Sequence, residues 1–82
     1  MSIIRFVMNE KALRMAEKEN KIVAIVDMKL NKNEIKKLIE KTYDLKVEKV
    51  NTLITNKGEK KAMIKLAKEF SALDFYAKIG LI

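Results

Sequence analysis

The sequence predicts a small α+β domain, with helices packed on a largely antiparallel sheet in the order β-α-β-α-β-β-α. Three observations predict it. Helix-start signals recur at Asn9, Asn31 and Ser71, each followed by apolar residues at helical spacing. Between the first two lies the longest apolar run, Ile22-Val23-Ala24-Ile25-Val26, too short and too β-branched to favour a helix. Residues 44–66 read as two strands joined at Asn56-Lys57-Gly58-Glu59, where Asn and Gly tolerate the positive φ of a tight hairpin. Eighty-two residues with 49% hydrophobic content suffice for one core, so residues 1–82 are read as a single domain.

Residues 2–7 form the first strand, expected at a sheet edge. Asn9 caps the first helix, Met8 and Leu13 stand at the hydrophobic-staple positions, and Glu10 falls in the first turn, where the helix dipole favours a carboxylate. Ala12, Leu13, Met15 and Ala16 make its inward stripe, and the helix stops near Asn20. Residues 21–29 hold a central strand buried on both faces, which requires helices on both sides of the sheet, or a helix on one side and a partner on the other. Asn31 with Glu34 makes a variant capping box, and Leu30 with Ile35 a staple. Ile35, Leu38, Ile39 and Tyr43 then face the core, while Lys32, Lys36 and Lys37 lie away from it and Glu40 pairs with Lys36 four residues earlier. In the hairpin, Leu45 and Val47 have one parity and Val50, Thr52 and Ile54 the other, so a β-bulge or strong twist falls at Glu48-Lys49, or the strand is buried on both faces near its end. The return strand alternates Ala62, Ile64 and Leu66 against Lys61, Met63 and Lys65. Ser71 caps the last helix with Asp74 at N3 and Phe70–Phe75 as staple. Leu73, Tyr76 and Ile79 point inward, Gly80 ends the helix, and Leu81-Ile82 pack back on it.

The net charge of +7 is unevenly placed. Residues 1–28 carry five basic and four acidic side chains, residues 29–68 carry twelve and five, and residues 69–82 carry one and two. A phosphate-contacting face accounts for this asymmetry; a lysine-rich solvated face is the plainer alternative. The chain has no Cys and no His, which removes disulfides, thiolate chemistry and imidazole acid–base chemistry. Its carboxylates are scattered singly, no D-x-D or E-x-x-E cluster suggests a cation site, and Gly58 alone makes no phosphate loop. An enzyme is therefore not expected, nor a cofactor or metal. No apolar run approaches the roughly 18 residues of a membrane span, and no signal peptide opens the chain, so direct membrane insertion is not expected. The central strands offer no aromatic platform for stacked bases, and two arginines are few for reading a major groove. Backbone and shape recognition of folded RNA remains. Lys32, Lys36, Lys60 and Lys61 are the candidate phosphate contacts, with Asn51 and Thr52 bonding sugar or phosphate oxygens; as ordinary strand residues those two have a simpler explanation.

The run KVEKVNTLITNKGEKKAMIKL resembles the hairpin of the universal large-subunit ribosomal protein twenty-three family, the protein at the polypeptide exit tunnel. Upstream, NKNEIKKLIEKTYDLKV is similar to the family's N-K-x-x-I-K…E…F-x-V-K-V run and NEKAL to its T-E-K-A; downstream, ALDFYAKIG resembles the ending of archaeal members. The resemblance covers nearly the whole chain. It implies a four-stranded antiparallel sheet of order 1-2-4-3 with helices packed on it, binding to large-subunit ribosomal RNA, neighbouring ribosomal proteins as partners, and a place on the cytoplasmic ribosome. It also implies a landing place for the signal recognition particle and the protein-conducting channel, with Glu10 matching the Glu of a T/S-E-K motif on the factor-docking surface of bacterial relatives. The family usually has Pro near Phe6, Thr or Ser at Asn9, and Ala at Leu30. The turn TNKGEKK is short, unlike the long basic loop that bacterial members send into the tunnel, so this hairpin is not expected to reach the lumen. Two readings stand beside this one: an RNA-binding or RNP assembly module outside the ribosome, and a small protein-interaction domain with incidental charge.

Overall fold

The computed structural model describes residues 3–80. The elements follow the predicted order: β1 (Ile3–Phe6), α1 (Glu10–Glu19), β2 (Lys21–Val26), α2 (Lys32–Tyr43), β3 (Val47–Ile54), β4 (Lys60–Leu66) and α3 (Ala72–Lys78). The sheet runs β1-β2-β4-β3 with every neighbouring pair antiparallel, so β1 is an edge strand as expected and β3 is the other edge. Ser2, read as the start of β1, and the expected packing of Leu81 and Ile82 lie outside the described residues.

All three caps form. The Asn9 side chain accepts from the Ala12 N–H at 2.8 Å and that of Ser71 from the Asp74 N–H at 3.2 Å. Asn31 accepts from the Glu34 N–H at 2.8 Å while Glu34 accepts from the Asn31 N–H at 3.0 Å, a complete capping box. The first two helices end on left-handed residues that are not glycine, Asn20 (φ 56°) and Asp44 (φ 54°). Asp44 therefore closes α2 rather than opening a strand, a role Asp and Asn fill because their short polar side chains tolerate this conformation. Strand β3 begins only at Val47.

The main core lies on one sheet face. Ile22, Ala24 and Val26 of β2, Ala62, Ile64 and Leu66 of β4, and Val47 and Val50 of β3 meet Ile35 and Ile39 of α2 and Ala72, Phe75 and Tyr76 of α3. Val23 and Ile25 are just as buried but belong to the opposite face, as does the neighbouring row of β4. Ala12 of α1 is buried outside the main core too, and α1 makes its sheet contacts with β2. α1 thus covers the β2 side of the second face, which resolves the requirement that β2 be buried twice. Because α1 has only this narrow strip to cover, Leu13 and Met15 of its predicted stripe are half-exposed and Ala12 and Ala16 carry the burial. On α3, Leu73 and Ile79 are likewise only half-buried. Phe75, assigned to a staple, instead packs edge-to-face with Phe6 at 5.1 Å and Tyr43 at 5.0 Å.

Two bulges set the register. The expected one falls at Glu48, between Val47↔Leu66 and Lys49↔Lys65, and returns Leu45, Val47 and Val50 to one buried side. A second, at Ile4 in β1, leaves that side chain exposed. The β3–β4 hairpin is closed by Thr55 and Glu59 around a three-residue loop, with the Gly58 N–H on the Thr55 carbonyl and Gly58 at φ +81°.

Two side chains tie the end of the chain to its beginning. The Asn20 carboxamide donates to the carbonyls of Leu66 (3.3 Å) and Phe70 (2.8 Å) and accepts from the Ala72 N–H (2.8 Å). At the last rung between β1 and β2, the Val7 N–H reaches the Val23 carbonyl directly at 2.8 Å. The reciprocal bond is relayed: the Tyr76 hydroxyl accepts from the Val23 N–H at 3.0 Å and donates to the Val7 carbonyl at 3.1 Å. Burial pushes the Tyr76 phenol up, an effect the Val23 N–H partly opposes.

Candidate nucleic-acid interface

α1 covers only part of the second sheet face, so the β4–β3 half is left as a ledge. Strand alternation and the observed register place Lys61, Met63 and Lys65 of β4 on it, opposite Leu53, Asn51 and Lys49 of β3. None of these six is buried. All five aromatic residues of the chain lie on the other side of the sheet, in or against the main core. The ledge therefore offers ammonium groups, one carboxamide and aliphatic surface, but no ring on which a base could stack.

The six candidate RNA contacts fall on two sides of the β3 edge. Asn51 and Lys61 are on the ledge. Thr52 and Lys60 have the opposite parity and stand on the helix side, and Lys60 donates to the Leu30 carbonyl ahead of α2. Lys32 and Lys36 project from α2, Lys32 exposed and Lys36 half-buried. α2 packs along β3, so both groups flank one strand. The pairing expected between Lys36 and Glu40 is not made among the described residues: Glu40 accepts from the Val47 N–H at 2.9 Å, because the α2–β3 connection brings that amide to it. Sequence reasoning missed Lys49 and Lys65 on the ledge. The signal was present, since Lys49 has the parity of Asn51 and Lys65 that of Lys61.

At the hairpin end, the Arg5 guanidinium grips Glu59 at 3.0 and 3.3 Å and holds its carboxyl below the usual carboxylate range, chiefly through those hydrogen bonds. The one acid at the turn is thereby neutralised. Glu10 is exposed on the first turn of α1 and pairs with Arg14 at 2.9 Å. It stands on a different helix from Lys32 and Lys36, over the other half of the sheet. Among the described residues no group of three carboxylates could hold a metal ion, and no helix is long and apolar enough to cross a membrane. A cleft beside α3 is rimmed by Asp44, Glu69, Ser71, Asp74 and Lys78 over Tyr43, Leu45 and Phe75, and the Ser71 hydroxyl there accepts from the Asp74 N–H as the helix cap.

The family model "Ribosomal protein L23" matches residues 1–73. The chain is 56% identical over 80 residues to "Large ribosomal subunit protein uL23" of Pyrobaculum aerophilum, a match that spans 98% of this chain and 99% of the relative. It is 48% identical over 80 residues to the protein of the same description from Caldivirga maquilingensis, with 98% and 93% covered.

Proposed function

The chain belongs to the ribosomal protein L23 family, and from that premise we propose that it is a structural constituent of the large ribosomal subunit that binds ribosomal RNA near the polypeptide exit tunnel of the cytoplasmic ribosome. Members of the family are ribosomal proteins rather than enzymes, and this chain is not an enzyme. One observation carries the RNA part of the reading. The half-sheet that no helix covers bears Lys49, Lys61 and Lys65 around Asn51, with no carboxylate in its two rows. Such a surface suits phosphate and sugar oxygens. Lys61 and Asn51 would contact RNA from the ledge, and Lys32, Lys36, Thr52 and Lys60 from the other side of β3. Lys60 has three donors and gives one to Leu30, so it retains two for phosphate.

In this reading neighbouring ribosomal proteins share the site, and the α1 side carrying Glu10 is left to meet factors that act on the emerging chain, such as the signal recognition particle and the protein-conducting channel. A three-residue hairpin loop is too short to act as the long basic loop of bacterial relatives, so the hairpin stays outside the tunnel lumen. Cofractionation tests the reading. The tagged protein should remain with large subunits through a high-salt wash, whereas release into the free pool would favour an RNP assembly module or a protein-interaction domain outside the ribosome.

A further inference from the structure

The register aligns three lysines on three adjacent strands. Lys21 of β2 is paired with Lys65 of β4, and Lys65 with Lys49 of β3. Directly opposed residues share a face, so the three ammonium groups form one row across the sheet, from the end of α1 to the β3 edge. Strand spacing puts the outer two backbones roughly 10 Å apart. Like charges placed directly opposite one another destabilise a sheet, so the row is a liability in the free protein.

Its neutralisation is partial. Glu19, the last residue of α1, reaches Lys21 at 3.1 Å, and Glu48, the bulge residue of β3, reaches Lys65 at 3.6 Å. Both carboxylates come from outside the row, and both are about half exposed, at 53% and 52%. The Glu48–Lys65 pair, exposed on both sides, is weak and easily exchanged, whereas the Lys21 side chain is only 20% exposed and is held more firmly by Glu19. Lys49 has no carboxylate partner among the described residues and is exposed.

We propose that Lys21, Lys65 and Lys49 form a phosphate-binding row that receives consecutive phosphates of an RNA backbone crossing the strands. The inference rests on the RNA-binding reading above, adds Lys21 to the lysines that reading names, and sets Lys21, Lys65 and Lys49 in one row. Each ammonium sits on a flexible four-carbon stem, so the row adapts to phosphate spacing without a rigid cradle. Asn51 lies one row further along the ledge and supplies a neutral donor to sugar or phosphate beside the row. Phosphate displaces Glu19 and Glu48 from their lysines and relieves the cross-strand repulsion. The linear arrangement, and the absence of any aromatic anchor beside it, favour a nucleic-acid strand over an acidic protein.

The test is a salt titration of binding to deproteinised large-subunit ribosomal RNA. It compares wild type, the variant K21Q/K49Q/K65Q, and a control of equal charge loss elsewhere, K41Q/K68Q/K78Q. Each phosphate contact adds roughly 0.7–0.9 to the slope of log K against log salt. The row variant should lose about 2 to 3 units of slope and the control much less, with the melting temperature of the row variant unchanged or raised. Equal slopes for all three proteins would overturn the row and leave the RNA reading standing. A wild type that does not bind the RNA would overturn both. A row variant that binds RNA like wild type but drops out of the large subunit would assign the row to an acidic ribosomal protein and so refute its role in RNA binding.

Discussion

Replacing Tyr76 by Phe removes one oxygen from the centre of the molecule and nothing else. Tyr76 is fully buried, its ring lies 6.1 Å from that of Phe75, and the Phe ring keeps that packing. What is lost is the relay between the Val23 N–H and the Val7 carbonyl. A buried backbone group left without a partner costs about 1–3 kcal/mol. Two such groups, with some closing of the rung, give about 2–4 kcal/mol. For a domain of this size each kcal/mol lowers the melting temperature by about 4–8 °C, so a loss of at least ~8 °C is expected in a thermal melt followed by circular dichroism. The same variant carries a pH signature. The Tyr76 phenol is raised in the folded state, so the folded protein holds its proton where the unfolded chain has already released it. The stabilisation is whole below the ordinary phenolic value of about 10 and is lost as pH rises through the raised folded value. The stability difference between wild type and Y76F should therefore shrink above about pH 10. A melt within about 3 °C of wild type would refute the relay, and a difference that does not change with alkalinity would refute the raising of the phenol by burial.

Ile64, fully buried between Ile22 and Val50, should cost about 2–5 kcal/mol as Ile64→Ala, and an unchanged urea midpoint would mean the core side of β4 is misassigned. In RNA titrations, Lys61→Ala should lower the salt slope by about one unit. Lys60→Ala should lower it as well but also depress the melting temperature, because the Leu30 carbonyl loses its donor; an unaltered slope for the double variant K60A/K61A removes both lysines from the contact set. Glu10→Gln should leave assembly into the subunit intact while slowing association of at least one exit-site factor, read by binding kinetics on purified subunits. Equal rates for every factor tried would leave Glu10 only its place at the helix start and its pair with Arg14.

What the sequence made legible was whatever is written locally. The caps at Asn9, Asn31 and Ser71 each depend on a few consecutive residues, and the Glu48 bulge shows as a break in alternation within one strand. The candidate site was harder, because it depends on which strand lies beside which. Asn51 with Thr52, and Lys60 with Lys61, looked like pairs in the sequence yet point to opposite sides of the sheet, as neighbours in a strand must. The row of Lys21, Lys65 and Lys49 joins residues far apart in the chain and appears only once strand order and both registers are fixed. Asn20 was legible as a helix stop, but its bonds to Phe70 and Ala72 span the whole fold. Phe6 was legible only as a strand residue, and its ring contacts with Tyr43 at 5.8 Å and Phe75 at 5.1 Å depend on the tertiary packing.

The relay at Tyr76 and the grip of Asn20 on the segment before α3 also bear on how the protein is made. A ribosome delivers β1 and β2 first, yet their shared last rung waits for a hydroxyl near the end of the chain, and Asn20 waits for residues 66–72. Contacts of such long sequence separation form late, and a chain lacking its last helix cannot complete them. A truncated product of interrupted translation would therefore present an unlocked first strand and an uncovered core.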